Sequence, residues 1–197
     1  MLFLEPDGAA YSAQRSLQAD PGTHWEYMSG NTVLVSRRIR ELTGGSLESV
    51  SAFVRTQLFE RLGMATAVLE PDPSGTPVGS SFMLASARDW ARLGQLYLNG
   101  GRWNGRRILP ANWVDYVTRH TPTSGEANYG AGFWINDAPE GPRWPTLPRD
   151  TYAASGFQHQ RIFIVPSHQL VVVRLGATWG DRSHLERLAA DVIAARR

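Results

Sequence analysis

Two β-rich runs near the end of this 197-residue chain constrain its fold more than any other feature. Arg161–Val165 and Leu170–Leu175 consist mostly of β-branched and apolar residues, and Pro166–Gln169 separates them. Two such runs joined by a short turn predict an antiparallel hairpin. The aromatic, glycine-interrupted segment Tyr129–Ile135 predicts one more strand. Because no strand–helix–strand repeat is present, the sheet is expected to be antiparallel.

Helical periodicity dominates the chain before these strands. Apolar residues recur at helical spacing over Asn31–Thr43, and Ser46 begins a second helix that ends at Gly63. A sequence resembling a capping box opens a third helix at Ser86, and Pro110 fits the first turn of a fourth. The remaining predicted features are a terminal helix capped by Asp181 and loops at residues 70–80 and 136–150. The predicted class is α+β, an antiparallel sheet flanked by helices.

Composition narrows the function classes. The hydrophobic content of 42% and the seven tryptophans suffice for a packed core, so we expect one domain or a large piece of one. With a net charge of +2 and no long basic run, a nucleic-acid partner is not predicted. No apolar stretch approaches the roughly 18 residues of a membrane span. The five histidines lack metal-ligand spacing and no glycine-rich phosphate loop occurs, so neither a metal nor a cofactor is predicted. The compartment stays open.

The chain contains no lysine, since all twenty of its basic Lys or Arg residues are arginines. A GC-rich genome that replaces Lys with Arg is the simplest explanation. The absence still has a chemical consequence, because a buried lysine can lose its proton whereas an arginine keeps its charge. These 197 residues therefore cannot supply a lysine base.

Polar and aromatic residues gather in two predicted loops, His24–Asn31 before a helix and Ala154–Gln160 before a strand. Each has an ordinary structural interpretation. Ser29 beside a helix start is most simply a capping residue. Tyr27 alone is more often a half-buried core aromatic, and a glycine before a strand is usually a backbone device.

The order of the segments nevertheless resembles the β-lactamase-related serine hydrolases. The closest branch is that of 6-aminohexanoate-dimer hydrolases, class C β-lactamase-like esterases and related penicillin-binding proteins. The resemblance covers nearly the whole chain from Pro21 onward. The segments that carry it are residues 21–64, 80–114, 129–135 and 154–176.

This resemblance implies a β-lactamase/transpeptidase-like fold and an active site built from three motifs. The first is Ser-x-x-Lys, which holds the nucleophile and its base. The second is Tyr-x-Ser, matched by Tyr27 and Ser29, in which Tyr27 relays a proton to the leaving group and Ser29 helps to hold the site. The third is Lys-Thr-Gly, matched by Ala154, Ser155 and Gly156.

The resemblance also assigns the residues after the third motif. The backbone N–H of Phe157 forms half of an oxyanion hole, and the N–H of the nucleophile forms the other half. His159 and Gln160 belong to the substrate site. His159 stands where relatives often carry Gly, so a bulky side chain there would narrow the pocket. Ala154 replaces the usual Lys or His, which weakens recognition of a substrate carboxylate and favours an amidase or esterase.

The first motif has no match, because no serine in this chain is followed by lysine. We therefore expect the chain to be the C-terminal portion of a hydrolase of small amides or esters, with its N-terminal part missing and no activity alone. The alternative is a non-catalytic remnant or ligand-binding module of the same fold. Without the upstream strands the sheet would keep an uncovered edge, which predicts self-association. Without its lysine, Tyr27 is expected to be an ordinary neutral phenol.

Overall fold

Two units, Met1–Ser86 and Ala87–Arg197, make up the chain. The structure is a computed structural model that describes residues 1–180 and 183–196. Each unit has its own buried residues.

The first unit is mostly helical. Its elements are α1 (Gly8–Ala13), α2 (Ser29–Leu42), α3 (Leu47–Val54), a π-helical turn (Arg55–Phe59), α4 (Glu60–Leu62), β1 (Val68–Leu69) and β2 (Met83–Leu84). Strands β1 and β2 pair antiparallel. The first helix was not predicted from the sequence. It forms because the Asp7 carboxylate accepts a hydrogen bond from the N–H of Ala10 at 2.7 Å, which caps a stretch too short to show a clear apolar period.

The predicted second helix is confirmed at both ends but not in its middle. Ser46 caps it in a reciprocal box with Ser49, and Gly63 ends it with φ of +68° in the left-handed region. Between them the α-helix gives way to the π-helical turn Arg55–Phe59. The apolar spacing could not reveal this turn, because the stripe continues through it.

A small core and a carboxylate help to hold the first unit together. Ala9, Val33 and Val78 form the core. The side chain of Asp72 accepts hydrogen bonds from the N–H groups of Gly8 and Ser74, among others. These bonds tie the loop after β1 to α1, although the two are far apart in sequence.

The second unit is a four-stranded antiparallel sheet with helices around it. Its elements are α5 (Ala87–Leu98), β3 (Arg102–Trp103), β4 (Arg106–Arg107), α6 (Trp113–Thr118), a 3₁₀ turn (Pro122–Ala127), β5 (Trp134–Ile135), β6 (Tyr152–Ser155), a 3₁₀ turn (Phe157–His159), β7 (Arg161–Val165), a 3₁₀ turn (Pro166–His168), β8 (Leu170–Arg174) and α7 (Ser183–Ala194). The sheet order is β5-β6-β7-β8, and β3 pairs with β4 as a separate hairpin. The predicted hairpin is confirmed, with Arg161 opposite Arg174 and Val165 opposite Leu170.

Each face of this sheet buries its own core. On one face α7 packs on β6, β7 and β8, and the fully buried residues include Phe163 and Ala189. On the other face α5 approaches the sheet, and Ile162 and Tyr152 lie in the core. Gly94 makes this approach possible, because a Cβ atom there would lie 2.6 Å from Val171 Cγ1. The side chains of β7 point alternately to the two faces and so contribute to both cores, as expected for a sheet covered on both sides.

Three predictions in this unit need correction. Tyr129–Ile135 is not one strand, because the chain turns between Tyr129 and Trp134, which bridge each other, and only Trp134–Ile135 belongs to the sheet. Tyr152–Ser155 is a strand that was not predicted, and its second half was assigned to the loop Ala154–Gln160, since its two alanines carry no β-signal. Pro110 precedes α6, which begins at Trp113.

The predicted cap Asp181 lies outside the described residues. Loop 136–150 is confirmed.

Candidate functional site

The second-motif residues lie at the start of α2. Tyr27 is 57% exposed and stands two residues before the helix. Met28 occupies the capping position and makes no side-chain capping bond, so the simple interpretation of Ser29 as a cap is wrong. Ser29 is the first residue of the helix, and its hydroxyl has no hydrogen-bond partner among the described residues. The fold thus leaves Tyr27 solvent-accessible, not half-buried in a core.

Gly30 explains how this segment is held. A Cβ atom at Gly30 would lie 2.9 Å from the Ser12 hydroxyl oxygen, so the glycine lets the first turn of α2 approach α1. The Ser12 hydroxyl donates a hydrogen bond to the Gly8 carbonyl within α1. The helix that the sequence analysis missed therefore supports the Tyr27 segment.

The third-motif residues lie at the end of β6. Ser155 is its last residue and pairs with Arg161 of β7. The hydroxyl of Ser155 has no partner among the described residues. Gly156 follows in an extended conformation, and its N–H donates to the Gln160 carbonyl at 3.0 Å. Ala154 packs toward the core under α5.

The link between β6 and β7 is strained. We call Gly156–Gln160 the strained turn. Gln158 and His159 have φ values of +55° and +64°, which side chains other than glycine rarely adopt. Strained backbone of this kind concentrates at active sites and ligand clamps.

The N–H of Phe157 is the best candidate for an anion-binding donor. Phe157 is the first residue of the 3₁₀ turn that follows β6, where an N–H has no partner within the turn. It makes no hydrogen bond with any residue of the described ranges. The residue as a whole is 75% exposed.

Gln160 holds two loops together. Its side-chain oxygen accepts a hydrogen bond from the N–H of Gly176 at 2.7 Å. The N–H of Thr178 donates to the Gln158 carbonyl at 3.2 Å. The segment after β8 is thereby fixed against the strained turn, and Gln160 acts on the turn by positioning it.

Trp179 is a residue that the sequence analysis missed. It is 74% exposed, and its ring meets that of Phe157 edge to face at 6.5 Å between centroids. Two exposed aromatic rings beside one turn can contact the apolar part of a ligand. The signal was a tryptophan among small polar residues after a strand, but only the folded loop shows which turn it borders.

One serine–histidine contact elsewhere does not form a catalytic pair. The hydroxyl of Ser124 lies 3.3 Å from His120 Nε2, and Glu140 Oε2 lies 3.7 Å from the same nitrogen. A triad requires the serine and the acid on opposite ring nitrogens. Ser124 also donates to the Thr121 carbonyl at 2.7 Å, so it closes a turn. Across residues 1–180 and 183–196 no cluster of three His, Asp or Glu side chains could hold a metal ion.

Two buried tyrosines have shifted acidity, and neither belongs to the predicted site. Burial raises the pKa of Tyr97, and burial raises that of Tyr152, with smaller contributions from the neighbouring Tyr97 and Asp150. Tyr152 lies in the core under α5, and Tyr97 of α5 packs against that core. These shifts therefore bear on stability and do not mark a catalytic phenol.

Within the second unit, the fold brings together Ser155, Gly156, Phe157, His159 and Gln160 around one turn. Tyr27 and Ser29 belong to the first unit, where they share one helix start. The roles that the resemblance implies for all seven residues stay predictions. In the described parts of the chain, no helix has the length and apolar character needed to cross a bilayer.

Comparisons with known proteins agree on one family. A family model described as Beta-lactamase matches residues 5–196. A 6-aminohexanoate-dimer hydrolase of Paenarthrobacter ureafaciens is 30% identical over 178 residues, which cover 87% of this chain and 44% of that protein. An uncharacterised protein of Alkalihalophilus pseudofirmus is 25% identical over 189 residues, covering 85% of this chain and 56% of its own. The chain thus spans about half the length of the curated relatives it matches.

Solved structures give the same result for the fold. A Bacillus anthracis protein described as a candidate 6-aminohexanoate-dimer hydrolase superposes with a TM-score of 0.75 at 25% identity, covering 94% of this chain and 47% of that one. A Mycobacterium bovis β-lactamase gives a TM-score of 0.69 at 18% identity, covering 97% of this chain and 73% of its own. The predicted fold and the predicted resemblance are both confirmed.

Proposed function

Because the chain belongs to the beta-lactamase family, we propose that it forms part of a serine hydrolase that cleaves amide or ester bonds in small molecules through an acyl-serine. The relative from Paenarthrobacter ureafaciens, named as a hydrolase of a dimer, supports hydrolysis as the reaction class. The observation that carries the proposal is the backbone N–H of Phe157, an exposed residue just after β6, because this N–H has no partner among the described residues.

In the proposed reaction, a serine hydroxyl attacks the substrate carbonyl carbon and forms a tetrahedral intermediate. The N–H of Phe157 donates a hydrogen bond to the oxygen that gains the negative charge. This hydrogen bond is stronger in the transition state than in the bound substrate. The hydroxyl proton passes by way of Tyr27 to the leaving amine or alkoxide. Water then attacks the acyl-serine and releases the acid. Ser29 and Ser155 hold the substrate and the relay in place.

The nucleophile and its lysine base are proposed to come from sequence outside these 197 residues. The chain holds no lysine, and a phenol with an ordinary pKa near 10 needs a neighbouring cation to act as a base near pH 7. Reading the DNA upstream of Met1 tests this. An in-frame Ser-x-x-Lys supports the proposal, and a stop codon beside a ribosome site at Met1 contradicts it.

A backbone variant tests the oxyanion role without changing a charged group. Phe157→Pro removes the N–H and keeps the turn, since proline is favoured at the first helical position and Gly156 already has the extended conformation that a residue before proline needs. Phe157→Ala is the matched control, because it removes the ring and keeps the N–H. In the protein that contains the nucleophile, we expect kcat to fall about 10² to 10³-fold more in the proline variant. Equal kcat values in the two variants would exclude this N–H from catalysis.

A second candidate is a non-catalytic ligand-binding module. The absence of lysine favours it, because the serine and backbone donors of the strained turn could still bind a carbonyl or an acid without reacting. Treating the 197-residue chain with a fluorophosphonate probe separates the two candidates. The hydrolase proposal expects no labelling of the chain alone and labelling of a serine once the upstream segment is present. A binding module expects none in either case.

A further inference from the structure

The rings of Phe157 and Trp179 form an exposed apolar surface in the second unit, which we call the aromatic pair. Phe157 is 75% exposed and Trp179 is 74% exposed, and the two rings meet edge to face at 6.5 Å between centroids. Neither ring has a further aromatic or cationic partner among the described residues. Exposed apolar side chains that lie together, in contrast to single ones, mark candidate binding surfaces.

The loop that carries Trp179 is held in place by the protein. The N–H of Thr178 donates to the Gln158 carbonyl at 3.2 Å, and the Arg174 guanidinium donates to the Thr178 hydroxyl at 2.5 Å. Thr178 is buried, although the next residue along the chain is Trp179. The exposed ring is therefore attached to a fixed backbone, which reduces the conformational entropy that ligand binding would cost.

The two stretches that form this surface are neutral. Residues 155–158 and 175–180 contain no ionisable side chain. Arg174, which precedes the second stretch, uses its guanidinium on the Gly176 carbonyl and the Thr178 hydroxyl. A charged group on a ligand would lose hydration here without gaining a counter-charge from either stretch, whereas an uncharged apolar group has little hydration to lose.

The same turn supplies one polar group that can orient a ligand. The backbone N–H of Phe157 has no partner among the described residues, and it belongs to the residue that carries one of the two rings. Because one residue carries both groups, a carbonyl bound to this N–H lies close to the aromatic pair. A single donor beside an apolar surface is a common arrangement in small-molecule sites.

We propose that the aromatic pair selects substrates that carry an uncharged aryl or alkyl group next to the scissile carbonyl. The apolar group packs against the rings of Phe157 and Trp179, and the carbonyl oxygen accepts the hydrogen bond from the Phe157 N–H. This inference rests on the proposed function, since it takes the bound carbonyl to be the one that is cleaved. Trp179 is then a specificity-determining residue that takes no part in proton transfer.

The first test measures binding to the 197-residue chain, because binding an amide requires no nucleophile. The probe is phenylacetamide, and acetamide is the control that lacks the ring. In ¹⁵N-labelled chain, phenylacetamide should shift the backbone signal of Phe157 and the indole signal of Trp179 together, with one dissociation constant. Acetamide should bind at least fivefold more weakly. No shift of either signal, or a shift of Phe157 without Trp179, would overturn the proposal.

Variants assign the binding to the aromatic pair. Trp179→Ala should weaken phenylacetamide binding about fivefold and leave acetamide binding unchanged, because only the apolar group contacts the ring. Trp179→Phe keeps a ring and should retain most of the binding.

The matched control is Tyr116→Ala. Tyr116 belongs to another exposed pair of rings in the second unit, in which its centroid lies 5.7 Å from that of Trp113. Removing the Tyr116 ring should not change phenylacetamide binding. Equal losses in Trp179→Ala and Tyr116→Ala would contradict a specific site at the strained turn.

A second measurement separates the failure of this inference from the failure of the proposed function. In the protein that contains the nucleophile, kcat/KM is measured for ethyl phenylacetate and ethyl acetate. Trp179→Ala should lower the value about fivefold for ethyl phenylacetate and less than about twofold for ethyl acetate. An unchanged ratio with hydrolysis intact would overturn the specificity role alone. Absence of hydrolysis of both esters in the parent would contradict the proposed function, and phenylacetamide binding to the 197-residue chain would still decide whether the aromatic pair holds an apolar group.

Discussion

The two ends of β7 carry turns of very different construction. At its start lies the strained turn, where Gln158 and His159 are both in the left-handed region. At its end lies Pro166–Gln169, which we call the anchored turn. There Ser167 donates from its N–H and its hydroxyl to the Asp150 carboxylate, at 2.6 and 2.9 Å, and Gln169 alone is left-handed.

The difference separates structural from functional demands on one hairpin strand. In the anchored turn Pro166 presets φ and the Gln169 side chain donates to the Pro166 carbonyl, while Asp150 of another loop accepts both Ser167 hydrogen bonds. In the strained turn, by contrast, the N–H of Phe157 and the hydroxyl of the preceding Ser155 have no partner in the described structure. Backbone strain tends to be retained where a site requires it.

The largest effect is expected from a change that disturbs both strands of the β7–β8 hairpin at once. Gly94→Ala should destabilise the second unit by about 2 to 3 kcal/mol, because the added methyl group would overlap Val171 and Ile162, which belong to β8 and β7. Alanine would otherwise favour a helix by about 1 kcal/mol. Urea unfolding measures the change. Gly30→Ala is a milder comparison, because its methyl group would meet the Ser12 side chain, whose hydroxyl can rotate away, and an equal loss there would contradict the argument.

Removing the Asp150 carboxylate should lower the free energy of unfolding somewhat less than Gly94→Ala does. Asp150→Ala deletes the acceptor of both Ser167 hydrogen bonds, and we expect a loss of about 1.5 to 2 kcal/mol in the free energy of unfolding. Thermal unfolding monitored by circular dichroism tests this. Asp137→Ala, which removes an exposed ion pair with Arg149, serves as a comparison and should cost less than about 1 kcal/mol. Equal losses would show that the anchored turn does not depend on its carboxylate.

Alkaline pH should weaken the sheet through a residue near the anchored turn. Burial raises the pKa of Tyr152 above its unfolded value near 10, so the unfolded chain loses this proton first. The contribution to stability is complete below about pH 10 and is lost as pH rises from 10 toward the pKa of the folded state. Each unit of pKa difference corresponds to about 1.4 kcal/mol. Between pH 9 and pH 11 the free energy of unfolding should fall less in Tyr152→Phe than in the parent chain. An equal fall in both proteins would contradict this prediction.

The smallest expected effect is a gain at the strained turn. His159→Gly relieves the left-handed strain of about 1 to 2 kcal/mol but adds backbone entropy to the unfolded chain, leaving a net stabilisation of about 0.5 to 1 kcal/mol. Gln169→Gly at the anchored turn should gain less, because it also loses the side-chain bond to the Pro166 carbonyl at 3.0 Å. Melting temperatures of the two variants give the comparison. A larger rise in melting temperature for Gln169→Gly would show that the anchored turn, and not the strained turn, carries more backbone strain.

Self-association stays a proposal that the sheet edge supports. In the described part of the chain, β8 pairs only with β7, so its outer backbone groups are available to another strand. Size-exclusion chromatography with light scattering should show dimers or larger species of the 197-residue chain. A monomer with a sharp, cooperative melt would contradict the idea.

The sequence by itself determined the elements whose signals are local. The β7–β8 hairpin, the Ser46 cap and the stop at Gly63 follow from nearest-neighbour chemistry, because a turn or a cap is satisfied within a few residues. The order of the motif segments likewise identified the family, which the match over residues 5–196 confirms.

Only the tertiary structure decided the features that depend on distant partners. Strand β6 contains Tyr152, Ala153, Ala154 and Ser155, and it is a strand because β5 and β7 hydrogen-bond to it on either side. Trp179 meets Phe157, and Gln160 bonds to Gly176, only after loops far apart in sequence have met. The left-handed backbone of His159 was equally hidden, since a histidine carries no local signal for a conformation that the surrounding fold imposes.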